Sequence, residues 1–151
     1  MGWIIWGVVL PACLVASWLI VRKPLRQVVE ELQVDQARLS FRQQREWLEA
    51  RFLKAMGQVD PIERLRWEDA HWHDEVLWAR DKQTQRLLAL VEIHFETEAF
   101  DESSTRHATA LFEYRKGRWI AEGKSLDATR PVDALVRHGR YQAVVLPQRR
   151  A

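Results

Sequence analysis

Residues 3–21, WIIWGVVLPACLVASWLIV, carry no charge, and no other stretch of the chain approaches that length without one. As an α-helix the run would be about 28 Å long, close to the ~30 Å hydrocarbon core of a bilayer. Ten of its residues are Ile, Leu or Val, and their transfer into lipid outweighs the polar minority. Pro11 is compatible with a membrane helix, where neighbouring groups satisfy the freed backbone carbonyl. Trp3 and Trp6 stand at one end and Trp18 near the other, as interfacial aromatic belts require. A cleaved signal peptide would need a basic leading region, and Met1-Gly2 supplies none. LPAC (10–13) has the outline of a lipobox, but hydrophobicity runs on past Cys13. The sequence therefore predicts a transmembrane helix over 1–22.

Arg22, Lys23 and Arg26 follow the span directly. The positive-inside rule then puts the amino terminus outside and everything after residue 22 in the cytoplasm. The same cations can meet anionic headgroups of the lipid bilayer.

From Leu25 to Met56 there is no Gly or Pro. Leu25, Val29, Leu32 and Leu39 recur at helical spacing, as do Phe41, Leu48, Phe52, Ala55 and Val59, so 23–59 reads as a helical stalk closed by Gly57. One reading packs its second half on the domain that follows. The other pairs it with a second copy as a short parallel coiled coil, although the repeats fall short of a sustained heptad.

The chain has 23 Lys and Arg against 21 Asp and Glu, a balance that argues against a nucleic-acid binder. Its single cysteine, Cys13, rules out a disulfide within the chain.

Residues 60–140 read as a small α+β domain. Asp60-Pro61 with Glu63 is a helix start. EVLWARD and LALVEIHFE read as paired strands around the polar loop DKQTQ. In the second of them Ala89, Val91, Ile93 and Phe95 alternate with Leu90, Glu92, His94 and Glu96, which predicts one buried face. ATALFEYRKGRWIAEGK reads as a second hairpin turning at Lys116-Gly117. Pairing outward places Tyr114 opposite Trp119, Phe112 opposite Ala121 and Ala110 opposite Gly123. TRPVDALVRHG predicts a last short helix. Residues 141–151 form a C-terminal tail in which YQAVVLP is either an edge strand or a surface segment. The expected fold class is α+β: transmembrane helix, stalk, and a four-stranded antiparallel sheet with packed helices.

A helix followed by such a meander, with the G-x-W hairpin in FEYRKGRWIAEGK, resembles cystatin-like and NTF2-like domains of small membrane-anchored proteins. The resemblance covers about 60–125. It implies a helix-on-sheet scaffold and carries no catalytic residues with it, because such domains share architecture rather than one chemistry.

The sharpest chemical signal is AHWHDEVLW (70–78). In an extended chain His71, His73 and Glu75 would leave one face, at a spacing used by metal ligands. A helix continuing from Pro61 would separate them, and a fourth ligand cannot be named, so no functional metal and no cofactor are expected. His94 and Glu92 fall on the polar face of one strand and His107 on that of another. The serines lack nucleophile context, and Glu92, Glu96 and Glu113 read as a solvated face. Trp67, Trp72 and Trp78 are core residues or anchors for a protein partner. The function expected is a non-enzymatic, single-pass membrane-anchored interaction module, an accessory subunit that meets other membrane-protein subunits or itself through the stalk. A tethered small-molecule-binding or enzymatic domain is the alternative.

Overall fold

The computed structural model describes residues 32–95, 106–127 and 129–145. The expected span and its flanks (Trp3, Trp6, Trp18, Arg22, Lys23, Arg26), the acidic loop before residue 106 and the basic tail lie outside the described residues. Among the described residues no helix is long and apolar enough to cross a membrane.

The chain divides into two units, Met1–Leu39 and Ser40–Ala151. Described residues 32–39 of the first are helical and belong to helix α1 (32–59). The second unit holds the rest of α1, then α2 (Pro61–Glu68), β1 (His71–Asp81), β2 (Leu87–Phe95), β3 (Arg106–Arg115), β4 (Arg118–Ile120), β5 (Ser125–Asp127), α3 (Pro131–Arg137) and β6 (Tyr141–Ala143). The class is α+β with an antiparallel sheet. The sheet has six strands where four were expected, in the order β4-β3-β2-β1-β6, with β5 also on β3. The extra strands are short pieces at the two edges. Their pairing comes from position in the fold and leaves no periodicity of its own in the sequence.

α1 runs through Gly57 to residue 59. Asp60 N–H still donates to the Met56 carbonyl at 2.9 Å, so the helical ladder does not stop at the glycine. Asp60 then turns extended (φ −142°) and its carboxylate accepts from the amides of Ile62 and Glu63, capping α2. Phe41, Leu48, Phe52 and Met56 form the buried stripe of α1. Residues 40–59 thus belong to the folded unit, which starts about twenty residues before the expected boundary at 60.

One sheet face receives that stripe. Phe41 packs edge-on against Trp78, Phe112 and Trp119 at 5.0–5.6 Å; Phe52 meets Trp72 edge-on and Trp67 and Phe112 at a tilt, at 5.3–5.6 Å. The other face is also covered: Ala79, Leu88, Leu90 and Leu111 are buried, with Leu77, Leu126, Leu135 and Tyr141 packed on them. β2 therefore has two buried faces, not one. It is the central strand, and α3 lies over its Leu88 and Leu90 side, so the apolar run LLALV is buried without alternation.

Two bulges shape the sheet. In β1 the step of four positions from Trp72 to Val76 is opposed by a step of only two on β2, from Ile93 to Val91. On the other edge β4 pairs as expected at Tyr114↔Trp119 and Glu113↔Ile120. Beyond it the register slips by two, so Ala110 faces Ser125 and not Gly123. The slip occurs where Gly123 takes φ +69°, and a Cβ there would lie 2.8 Å from the Met56 amide nitrogen. The edge bends away because the end of α1 presses against it.

Candidate functional site

α2 ends at Glu68 and β1 begins at His71, so the chain is already extended where a continuing helix would have parted the two histidines. Register then decides which groups meet. His71 lies opposite His94 on β2, and His94 lies opposite His107 on β3. Glu92, two residues before His94, shares its face. The result is a row of imidazoles across three strands, on the face away from α1 and beyond the leucine cluster under α3. Ring centroids are 5.4 Å apart for His71–His73, 4.1 Å for His73–His94 and 4.4 Å for His94–His107.

Glu92 is the hub. Its Oε1 lies 3.0 Å from His94 Nε2, 3.2 Å from His107 Nδ1 and 3.8 Å from Arg130 Nε. His94 Nδ1 in turn lies 3.1 Å from His73 Nε2. With neutral rings the tautomers follow: a carboxylate only accepts, so His94 donates through Nε2 and accepts through Nδ1 from His73. Burial works to raise the Glu92 pKa, but the His94 hydrogen bond and the positive charge that His94, His107 and His73 bring when protonated prevail and hold it below the ordinary carboxylate value. His107 differs. Its Nδ1 is buried without a hydrogen-bond partner, because Glu92 Oε1 is close but off hydrogen-bond geometry. Its Nε2 accepts from Arg130 Nη2 at 3.5 Å.

Two threonines set Arg130 over the row. Buried Thr109 donates to the Thr129 carbonyl at 2.6 Å, and Thr129 donates to the Asp127 carbonyl at 2.9 Å. This ties the segment after β5 to the sheet surface. Arg45 sets the other end. It interrupts the apolar stripe of α1 and donates from Nη1 to the Asp74 carbonyl at 2.7 Å and from Nη2 to the His73 carbonyl. A cation there satisfies the carbonyls that the β1 bulge frees from the ladder.

The residues singled out from sequence therefore separate. His73 joins the row, His71 stands at its end, and Glu75 is exposed. Glu92, His94 and His107 are the group among the described residues that offers three ligand atoms, all within 4.8 Å of one another. Trp67 and Trp78 are buried in the aromatic core, not on a surface where a partner could reach them. Trp72 is half-buried, and its indole donates to the Trp67 carbonyl at 3.3 Å. Glu113 is engaged by Arg86, Arg115 and Lys124. Burial alone would raise its pKa, yet these cations hold it low, which does not suit a general base at neutral pH. Nothing in the local sequence marked Thr109, Arg130 or Arg45 as parts of a site.

The fold defines an α+β antiparallel domain built on one long helix. No protein-family model matches the chain, and neither a curated protein nor a solved structure matches it.

Proposed function

We propose that this chain is a non-enzymatic, single-pass membrane-anchored interaction module with its α+β domain on the cytoplasmic side, acting as an accessory subunit of a membrane complex. The observation that carries this reading is how the long helix uses the sheet. The face that would be a concave ligand pocket in a cystatin-like or NTF2-like scaffold is filled by Phe41, Leu48 and Phe52 of the chain itself, and four tryptophans are engaged in that contact. Apolar side chains are left outside instead. Ile62 and Leu65, one turn apart on α2, are 79% and 63% exposed, and exposed apolar residues at helical spacing suit a protein partner. Leu32 and Leu39, a heptad apart, are also exposed and are compatible with self-association through the stalk.

Three measurements test this. Deleting residues 1–23 should move the chain from carbonate-resistant membranes to the soluble fraction, and protease added outside intact cells should leave the domain uncut. A photo-crosslinking amino acid placed at Ile62, and in a separate variant at Leu65, should give in native membranes one discrete adduct with another membrane subunit or a second copy. Persistent membrane retention after the deletion refutes the anchor; no adduct from Ile62 or Leu65 refutes the interaction surface.

A second reading, a tethered small-molecule-binding or enzymatic domain, is favoured by one observation: the Glu92–His94–His107 cluster on the opposite face.

A further inference from the structure

We infer that Glu92, His94 and His107 form a binding site for a late first-row divalent metal ion of the zinc class, with His73 supporting it from behind and Arg130 as a displaceable cation at its mouth. The inference does not depend on the anchor or on the interaction surface.

The first support is geometric. Tetrahedral ligands bonded at about 2.0–2.1 Å lie roughly 3.3–3.4 Å from one another. Glu92 Oε1 is already 3.0 Å from His94 Nε2 and 3.2 Å from His107 Nδ1, a few tenths of an ångström from that spacing, and all three ligand atoms lie within 4.8 Å of one another, so side-chain adjustment on a fixed backbone would close them on an ion. The three come from neighbouring strands, and His94 and His107 are directly opposed in the ladder. Their spacing is thus fixed by backbone hydrogen bonds and not by loops.

The second support is the state of the donors. His107 Nδ1 is buried and unbonded, aimed into the cluster beside a carboxylate. An ion would satisfy it. Two imidazoles and one carboxylate suit zinc and its neighbours rather than magnesium or calcium, which take oxygen ligands.

The third support lies around the ligands. When His94 gives its Nε2 lone pair to a metal, its proton sits on Nδ1, which faces His73 Nε2 at 3.1 Å. His73 then accepts where it formerly donated, as an outer partner that orients a ligating ring. Arg130 must leave. Its Nη2 donates to His107 Nε2, and that nitrogen carries the proton once Nδ1 binds the ion. The Arg130 side chain is 58% exposed and has room to swing out. Until then its guanidinium occupies the place of a cation beside Glu92. The ligand side chains are themselves 21–29% exposed, so water can reach the site and complete the coordination.

This set differs from the His71, His73 and Glu75 trio that the sequence alone suggested. The bulge in β1 and the pairing of β2 with β3 replace Glu75 by Glu92, and replace His71 and His73 as ligands by His94 and His107.

The test uses the full chain in mild detergent, stripped with chelator and titrated with zinc alone by calorimetry. One ion per chain is expected. His94→Ala or His107→Ala should each weaken binding by at least the roughly 100-fold that losing an outer partner can cost, and His73→Ala by about 10-fold. Arg130→Gln should tighten it roughly fivefold, the equivalent of one partly exposed charge contact. His138→Ala should change nothing. No saturable zinc binding, or binding that survives loss of His94 and His107, overturns the site. If the alanine variants do not fold, X-ray absorption on the zinc-loaded natural chain decides. Imidazole scattering with nitrogen and oxygen neighbours at about 2.0–2.1 Å upholds the site, and a shell without imidazole overturns it.

Discussion

Lys116 and Gly117 both take positive φ, +49° and +80°, the pair a two-residue type I′ turn needs. Open space surrounds Gly117, so the cost of a side chain there is conformational. Gly117→Val should lower the melting temperature of the chain, whereas Lys116→Asn, a residue that tolerates the left-handed region, should raise stability by about 0.5–1 kcal/mol. Trp119, next to the turn, is buried against Phe41, Trp78 and Tyr114; Trp119→Ala should cost about 3–5 kcal/mol in chemical denaturation. Asp81 is a different kind of residue-scale determinant. Buried at the end of β1, it accepts from the Gln83 and Thr84 amides at 2.8 and 3.3 Å and from Arg140 Nε and Nη2 at 2.9 and 2.8 Å. Burial opposes its ionisation, but these donors prevail and hold its pKa below the ordinary 3.8. A carboxylate depressed in the folded state adds stability above its unfolded pKa, and that contribution fades as pH falls through the folded value. Asp81→Asn should therefore lower the melting temperature at neutral pH, and the gap from the natural chain should narrow between about pH 5 and about pH 2. A gap that stays constant would detach the effect from ionisation.

At the scale of elements, the two bulges are held by α1. Arg45 reaches the carbonyls of His73 and Asp74, and the end of the helix abuts Gly123. Arg45→Met keeps the volume and the apolar stripe while leaving two carbonyls without their donor. It should destabilise by about 1.5–3 kcal/mol, the range for hydrogen bonds to charged groups. Faster hydrogen exchange should then be confined to β1 near residues 72–76. Gly123→Ala should be worse than Gly117→Ala. Both glycines have positive φ, but only Gly123 would drive a methyl against helix backbone at 2.8 Å. Equal melting temperatures for the two variants would refute that close contact.

At the scale of the folded unit Ser40–Ala151, the sheet works as a middle layer. Residues 40–59 of α1 fill one face and α3 covers half of the other, and among the described residues no helix lies over the half that carries the histidine row. β6 belongs to this construction: Ala79, Arg80 and Asp81 pair with Ala143, Gln142 and Tyr141, and Tyr141 packs on the leucine cluster. Ending the chain at residue 140 should thus remove structure and not merely a tail. The expected loss is about 1–2 kcal/mol from the apolar area of Tyr141 alone, seen as a drop of several degrees in melting temperature. An unchanged melting temperature would make β6 a passive edge.

The uncharged run at 3–21, the helical spacing of Phe41, Leu48 and Phe52, the Asp60-Pro61 cap and the Lys116-Gly117 turn were all readable from the chain, because each depends on neighbours a few residues away. The class of fold and the first three pairs of the hairpin followed from those local signals. What was not readable depends on residues distant in sequence. Leu88 and Leu90 become core only because α3, more than forty positions later, lies over them. The register beyond Ile120 slips because α1 occupies the space the straight strand would need. The candidate site has the same origin. His94 and Glu92 are visible as neighbours, but that His107 stands opposite, that His73 rather than Glu75 joins them, and that Arg130 closes the row are consequences of cross-strand register and of one bulge. A shift of a single residue in either pairing would carry those side chains to the opposite face of the sheet.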